Sequence, residues 1–314
     1  MSKLPVGVSR MMSQRARRMH HYLFHQTRNM WLVWDEDTKD EIRFLGWEPP
    51  RPARELDGEG GFKTVLDNDS GEDFLYMHRQ MIASVNQKLA DLADPNYRQI
   101  EGWSVLPRPG DSDFPVPPAW DTGNPGFDSF LNAVKSDDYF SQNFEVWEAR
   151  FTDLGQLANM TLGEMGARLE FSIHNMMHMR WCREMEVRPD VDPETPNQID
   201  PAWDNEAYDW LGDTYSSHVN PVFWKIHGWI DDRIDDWMAA HGLTGNVPWK
   251  GTWVGKMPGH PMPDSLHAML ASTAGHDKAA GQAVHDHMSE MEQVAKVILK
   301  SGKFCHFYDD VQVE

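Results

Sequence analysis

Two pairs of histidines, each with three residues between its members, have the clearest capacity for chemistry in this sequence. His174 and His178 lie in the apolar run 171–181, and His21 and His25 form a second pair near the start of the chain. Residues four apart on an α-helix leave the same face, one turn apart. Each pair can therefore offer two imidazole nitrogens to one metal ion.

A single histidine follows each pair, again within apolar or aromatic helical surroundings. His78 follows the first pair and His227 follows the second. Three histidines per ion leave a coordination position open, which is typical of a reactive metal site rather than a structural one. Two such groups on paired helices would face each other and bind two ions with a small molecule between them. Imidazole ligands favour copper or zinc over calcium or magnesium.

The spacing alone is weak evidence for a metal site. The chain has 15 histidines among 314 residues, so roughly 0.7 pairs with this spacing are expected by chance. The alternative is ordinary histidines on amphipathic helices, either exposed or satisfied by hydrogen bonds. The apolar context favours a metal, because an unpaired buried imidazole is costly.

Composition disfavours several other functions. The net charge of -20 argues against binding to nucleic acid or to anionic membranes. Cys182 and Cys305 are the only cysteines, too few for a disulfide framework or a cysteine-based zinc site, which fits a reducing compartment. No secretion signal and no membrane span is recognisable. We expect a cytoplasmic protein, and the sequence leaves open whether it forms a homo-oligomer.

The elements that must position the histidines are mostly helices. Hydrophobic periodicity and breaker residues predict helices over residues 9–34, 72–92, 127–135, 137–151, 161–184, 220–242, 264–272 and 278–299. Asn220 and Pro221 supply an N-cap and a proline in the first turn. Loops rich in proline, glycine or charge are predicted at 35–73, 102–126, 187–206 and 243–263, with one short strand at 42–47.

The predicted fold is mainly α and forms a single domain over residues 1–314. Its core is an antiparallel four-helix bundle that holds a dinuclear metal site. Residues 243–314 are expected to form a C-terminal coil and helices that pack on this core.

Four segments, in order along the chain, resemble the copper-binding segments of the type-3 dicopper superfamily of tyrosinases, catechol oxidases and haemocyanins. Residues 20–25 (HHYLFH) and 71–83 (GEDFLYMHRQMIA) resemble the first and third CuA ligand segments of arthropod haemocyanins and prophenoloxidases. Residues 169–178 (LEFSIHNMMH) resemble the CuB pair, and residues 220–233 (NPVFWKIHGWIDDR) resemble the last CuB segment. The resemblance implies two copper ions with the ligands His21, His25, His78, His174, His178 and His227.

The chain departs from the family pattern at several positions. Asn220 replaces the usual aspartate before proline, and Gly228 stands where many tyrosinases carry a second histidine. Asp69 stands where a bacterial or plant tyrosinase would place its second CuA histidine. No cysteine lies near His25, so the Cys–His thioether of some relatives is not implied. The pattern is nearest to the haemocyanin-like branch, in a compact bacterial-type form.

The resemblance implies that the coppers activate O2 to oxidise a small aromatic substrate, such as a phenol, o-diphenol, o-aminophenol or arylamine. The alternative is a haemocyanin-like protein that carries O2 or binds copper without turnover. A zinc hydrolase is a third, weaker hypothesis. Because the predicted first ligand helix begins close to the chain start, we expect no haemocyanin-like N-terminal domain over the coppers. That expectation favours the enzyme.

Two residues beside the second pair are candidates for proton transfer. Glu170 precedes His174 by four residues, and Asn175 follows it directly. In the family such a pair resembles the water-holding residues associated with hydroxylase activity, in which a base removes the phenol proton through an ordered water. The alternative is that Glu170 only supports a ligand histidine. Asp231, four residues after His227, could likewise orient an imidazole, although a solvated helix face is the stronger interpretation.

Overall fold

The fold is known from a computed structural model that describes residues 4–59, 61–184, 195, 197–255 and 278–303. Cys305 and the helix predicted at 264–272 lie outside these ranges, as does part of the loop predicted at 187–206. Within the described residues, no helix combines the length and the apolar character that crossing a membrane requires.

Helices make up most of the described chain, which confirms the mainly α prediction. The α-helices are α1 (Val6–Met12), α2 (Arg15–Met30), α3 (Glu36–Phe44), α4 (Ser70–Leu92), α5 (Pro125–Val134), α6 (Asp137–Tyr139), α7 (Glu145–Thr152), α8 (Leu154–Leu157), α9 (Leu162–Leu169), α10 (Asn175–Trp181), α11 (Pro221–Ala240) and α12 (Lys278–Ser301). Two π-helical segments (Phe140–Phe144 and Glu170–His174) and two 3-10 turns (Pro201–Trp203 and Ser217–Val219) complete the helical elements. Strands β1 (Arg54–Leu56) and β2 (Phe62–Thr64) form one antiparallel hairpin.

Some predicted elements differ from the structure. The strand predicted at 42–47 is wrong, because residues 36–44 form α3, whose N-cap Asp35 accepts a hydrogen bond from the backbone of Thr38. The helix predicted at 9–34 is two helices, α1 and α2. The helix predicted at 161–184 contains the second π-helical segment and ends at Trp181. Asn220 caps α11 with Pro221 in its first turn, as predicted.

The hydrophobic core consists of two large clusters of buried side chains. The larger cluster joins α4, α9, α10 and α11, and it includes Leu75, Met165, Met177 and Trp229. The second joins α2 to α12 and includes Leu23, Met291 and Val294. Buried apolar contacts therefore hold each of the helices that carry the six candidate ligands.

Glycines allow α4 and α9 to cross with their backbones in contact. A Cβ atom on Gly71 would lie 2.1 Å from the backbone nitrogen of Ala167, and one on Gly166 would lie 2.3 Å from the carbonyl oxygen of Gly71. Only residues without a Cβ permit this approach. The crossing fixes α4, which carries His78, against the helix that leads into His174.

Candidate metal centre

The six histidines predicted as ligands converge into two groups of three. We call His21, His25 and His78 the first triad, and His174, His178 and His227 the second triad. Within each triad, one ring nitrogen of every histidine lies within 4.8 Å of the others. All six side chains are at most 3% exposed. Each triad could therefore hold a metal ion.

Four helical stretches supply these ligands. His21 and His25 lie one turn apart on α2, with ring centroids 4.9 Å apart. His174 ends the second π-helical segment and His178 follows on α10, with ring centroids 4.6 Å apart. The third ligand of each triad comes from α4 or α11. The four-residue spacing thus brings each pair together, as helix geometry requires.

Hydrogen bonds fix two of the three imidazoles of the first triad. Nδ1 of His21 donates to the carbonyl oxygen of Thr214 at 2.6 Å, and Nδ1 of His78 donates to that of Phe74 at 2.8 Å. A carbonyl oxygen only accepts, so the ring proton resides on Nδ1 and Nε2 keeps a lone pair. Nε2 of His21 and Nε2 of His78 are buried and have no hydrogen-bond partner. A metal ion is the partner that such lone pairs fit.

The second triad is oriented in the same way at two of its three histidines. Nδ1 of His174 donates to Oδ1 of Asn175 at 2.9 Å, and Nδ1 of His178 donates to the carbonyl oxygen of Leu211 at 2.8 Å. Nδ1 of His227 is buried without a hydrogen-bond partner.

The spacing of the second triad matches a coordination shell. Nε2 of His227 lies 3.3 Å from Nε2 of His174 and 3.3 Å from Nε2 of His178. Tetrahedral ligation with metal–nitrogen distances of about 2.0–2.1 Å places ligand nitrogens about 3.3 Å apart. Two of the three nitrogen–nitrogen distances in the second triad therefore match those around a bound metal ion.

The two triads lie side by side. The rings of His78 and His227 stack with centroids 4.2 Å apart and planes 13° apart. The centroids of His25 and His174 are 6.5 Å apart, with planes also 13° apart. Two ions held by these rings would be close neighbours.

Two buried phenylalanines line the rings of both triads. The Phe223 ring lies 3.9 Å from that of His227 and 6.1 Å from that of His78, measured between centroids. The Phe74 ring lies 4.6 Å from that of His78 and 4.9 Å from that of His174. These apolar walls exclude water from the imidazoles.

The imidazoles are neutral at physiological pH. Burial lowers the pKa of all six histidines below the ordinary 6.5, and neighbouring imidazoles lower most of these pKa values further. The pKa of His21 falls to about 3 and that of His178 to about 4. A neutral imidazole is the form that binds a metal.

Glu170 is paired with an arginine beside the first triad. Its carboxylate accepts hydrogen bonds from Nη1 and Nη2 of Arg28 at 2.7 and 2.9 Å, and Oε1 lies 3.7 Å from Nδ1 of His25. Residues four apart, such as Glu170 and His174, share one face of an α-helix, but the wider π-helical turn here changes the angle between their side chains. Burial raises the pKa of Glu170, and Arg28 opposes this rise. The contact with His25 favours support of a ligand, and the role as a base stays a prediction.

Asn175, Asp231 and Cys182 each have defined contacts in the structure. Asn175 holds the His174 ring, as described above. Asp231 forms an ion pair with Arg79 at 2.7 Å, which ties α11 to α4. Cys182 is buried, its Sγ donates to the carbonyl oxygen of Met179, and burial raises the pKa of its thiol to about 11. We therefore regard Cys182 as an unreactive core residue.

The departure at Gly228 has a steric cause. A Cβ atom on Gly228 would lie 2.5 Å from the backbone nitrogen of Gly102. The loop around Gly102 occupies the place that a second histidine would need.

A seventh buried histidine, His218, was not assigned from the sequence. Nδ1 of His218 lies 3.2 Å from Nδ1 of His21, and Nε2 lies 3.1 Å from the carbonyl oxygen of Met12. His218 lies in a 3-10 turn, where no helical spacing marks it. Only its position in the fold reveals the contact.

No protein-family model matches this chain and no curated protein matches it.

Proposed function

We propose that this protein is a dicopper oxidase or monooxygenase that uses O2 to oxidise a small aromatic substrate, such as a phenol, o-diphenol, o-aminophenol or arylamine. Each triad would hold one copper ion. The observation that carries the proposal is the pair of adjacent, buried, all-imidazole triads. The resemblance of four segments to type-3 copper proteins supports copper over other metals.

The donor set is compatible with a redox-active metal such as copper. Each candidate ligand group consists of three imidazoles, and imidazole suits copper and zinc. Three ligands per ion leave room for O2 and substrate. When bound, the copper pair supplies the electrons that reduce O2 and the positive charge that attracts an ionised phenol.

The side chains of the protein prepare the site for this chemistry. The carbonyl of Thr214 and the amide of Asn175 fix the ring orientation of one ligand in each triad. Phe74 and Phe223 keep water from the ligand rings, which strengthens the electrostatic interactions inside the site. In the proposed fold, α2, α4, α9–α10 and α11 form an antiparallel four-helix bundle around the dinuclear centre.

A carrier of O2 without turnover is the second candidate. The observation that favours it is the burial of all six ligands, none of which is more than 3% exposed. A site this enclosed admits O2 more easily than an aromatic ring.

The cytoplasmic location, and the absence of nucleic-acid and membrane partners, stay predictions from composition.

Metal loading followed by a substrate panel tests the proposal. We expect two copper ions per chain, an absorption band that appears only after O2 is added, and turnover of at least one phenol, catechol, o-aminophenol or arylamine. Two coppers with the O2 band but no turnover would favour the carrier. A protein that takes up only zinc and stays colourless would favour the zinc hydrolase.

A further inference from the structure

Hydrogen bonds connect His218 to the ligand His21 on one side and to the backbone of Met12 on the other. Nε2 of His218 lies 3.1 Å from the carbonyl oxygen of Met12, which can only accept, so Nε2 carries the ring proton. Nδ1 of His218 therefore keeps a lone pair. That lone pair faces Nδ1 of His21 at 3.2 Å.

His21 thus has two acceptors for one Nδ1 proton. The closer is the carbonyl oxygen of Thr214 at 2.6 Å, and the second is Nδ1 of His218. Both acceptors require the proton on Nδ1 of His21, which leaves Nε2 as the metal-facing lone pair. The ring centroids of His21 and His218 are 4.9 Å apart and their planes meet at 80°, so the rings also limit each other's rotation.

The segment that carries His218 is itself firmly held. Buried Arg18, on α2, donates to the carbonyl oxygens of Tyr208 and Tyr215 at 2.9 and 3.3 Å. Nε1 of Trp224 donates to the carbonyl oxygen of His218 at 3.1 Å. A fixed support is what a side chain needs in order to orient a ligand.

We propose that His218 is a positioning residue of the first triad, which holds His21 in the tautomer and orientation that bind the metal. The proposal rests on the metal-binding part of the proposed function and not on the oxidation of any substrate. The competing interpretation is that His218 only fills space and bonds to Met12.

Two substitutions of similar chemistry separate these interpretations. In His218→Asn, the amide oxygen takes the place of Nδ1 and keeps an acceptor for His21, but the donor to Met12 is lost. In His218→Gln, the amide nitrogen reaches the place of Nε2 and keeps that donor, but the acceptor for His21 is lost. A positioning role predicts that Asn rescues metal binding and Gln does not, and a structural role predicts the reverse.

Metal binding is measured separately for each triad, in variants that lack one ligand of the other triad. His227→Ala leaves only the first triad complete, and His78→Ala leaves only the second. Co²⁺ alone is the probe, because its visible spectrum reports on coordination geometry as well as on affinity. In the His227→Ala background we expect His218→Gln to weaken Co²⁺ binding by about 10- to 100-fold and to alter the spectrum, whereas His218→Asn stays within a few-fold. In the His78→Ala background neither substitution changes binding.

Equal losses in the Asn and Gln variants, or equal losses in both backgrounds, would overturn the proposal. The ¹⁵N resonances of the unmutated metal-free protein give an independent test that needs no variant at this position. We expect a proton on Nδ1 of His21 and on Nε2 of His218, and a proton on Nε2 of His21 would contradict the proposal. If Co²⁺ binds as expected but the copper-loaded protein oxidises no aromatic compound, the positioning role stands and the oxidase proposal fails.

Discussion

The first and second triads have equal numbers of ligands and similar burial, but different neighbours. In the first triad, His21 contacts the side chain of His218, and His25 lies 3.7 Å from the carboxylate of Glu170. In the second triad, the Nδ1 partners are neutral amide and carbonyl oxygens, and Nδ1 of His227 has none. The first triad therefore has an imidazole and a carboxylate beside its ligands, whereas the groups that contact the ligands of the second triad are uncharged.

We therefore expect the two triads to differ in their affinity for a metal ion and in the freedom of their ligands. Partners that hold the second ring nitrogen orient a ligand and raise its basicity. We expect the first triad to bind its ion more tightly, since charged or strongly polar groups support two of its ligands. Nδ1 of His227 has no hydrogen-bond partner, so we expect the second triad to be the one whose ligand geometry adjusts more easily.

Removal of one ligand from each triad gives the largest expected effect. His78→Ala and His227→Ala should each reduce metal content from two ions to one and lower turnover by more than the 10- to 100-fold that loss of an outer hydrogen bond costs. Competitive titration of the two variants then compares the intact triads directly. Retention of two ions by either variant would contradict the ligand set, and tighter binding in the His78→Ala variant would reverse the expected order of affinity.

Disruption of the buried ion pair between Arg28 and Glu170, beside the first triad, should have the next largest effect, a loss of folding stability. Arg28 and Glu170 are at most 1% exposed, and removal of one partner of such a pair typically costs about 3–5 kcal/mol. We expect Arg28→Leu to lower the free energy of unfolding of the metal-free protein by this amount, as measured by urea denaturation. The double variant Arg28→Leu/Glu170→Leu should recover much of the loss, because no buried charge is left unpaired.

Substitution of Glu170 by glutamine distinguishes its two possible roles, support of His25 and removal of a phenol proton. If Glu170 supports His25, Glu170→Gln weakens metal binding by the first triad and lowers the oxidation of phenols and o-diphenols together. If Glu170 is the base, Glu170→Gln lowers the hydroxylation of monophenols selectively and leaves metal affinity unchanged.

The sequence was sufficient to predict which histidines come together in the two triads, because their signal is local. A helix fixes residues four apart on one face, so the pairs on α2 and α10 could be read from spacing, and the four family-like segments selected His78 and His227. Asp35 and Thr38 also carry a local signal, a helix N-cap, that could have placed α3 where a strand was predicted.

The contacts around the ligands could not be predicted because they depend on distant parts of the chain. His218 meets His21 across 197 residues, and Arg28 meets Glu170 across 142. The π-helical turn at Glu170 has no clear sequence signature, so the contact of its side chain with Arg28 and its approach to His25 could not be predicted. The need for glycine at position 228 arises from the backbone of Gly102, which is distant in the sequence and packs against it.

The crossing of α4 and α9 is shared by both triads, so its disruption should affect them equally. Gly166→Ala places a Cβ atom 2.3 Å from the carbonyl oxygen of Gly71, and overpacking of this kind typically costs about 1–3 kcal/mol. We expect lower stability and weaker binding of both ions. Gly126→Ala is the matched control, because a Cβ atom there meets only Oδ1 of Asn124 at 3.4 Å. A loss confined to one triad would show that the crossing does not hold the two together.

The last prediction is a pH dependence of stability to which the two triads contribute in equal measure. Burial lowers the pKa of His21 to about 3 and that of His178 to about 4, below the ordinary 6.5 that applies to the unfolded chain. Between these values the unfolded state binds more protons, so the stability of the metal-free protein falls as the pH falls from 6.5 towards 4. Each histidine contributes up to about 1.4 kcal/mol per pH unit, and Glu170, whose pKa is raised, opposes this trend.

Urea denaturation between pH 5 and 6.5 measures this slope. We expect His21→Gln and His178→Gln to reduce it by the same amount, because both imidazoles stay neutral in the folded protein throughout this range. Stability that rises on acidification would contradict the burial of neutral imidazoles. A reduction confined to one variant would mean that the histidine in the other is already protonated in the folded metal-free protein, and the two triads would then differ in their ligands as well as in their neighbours.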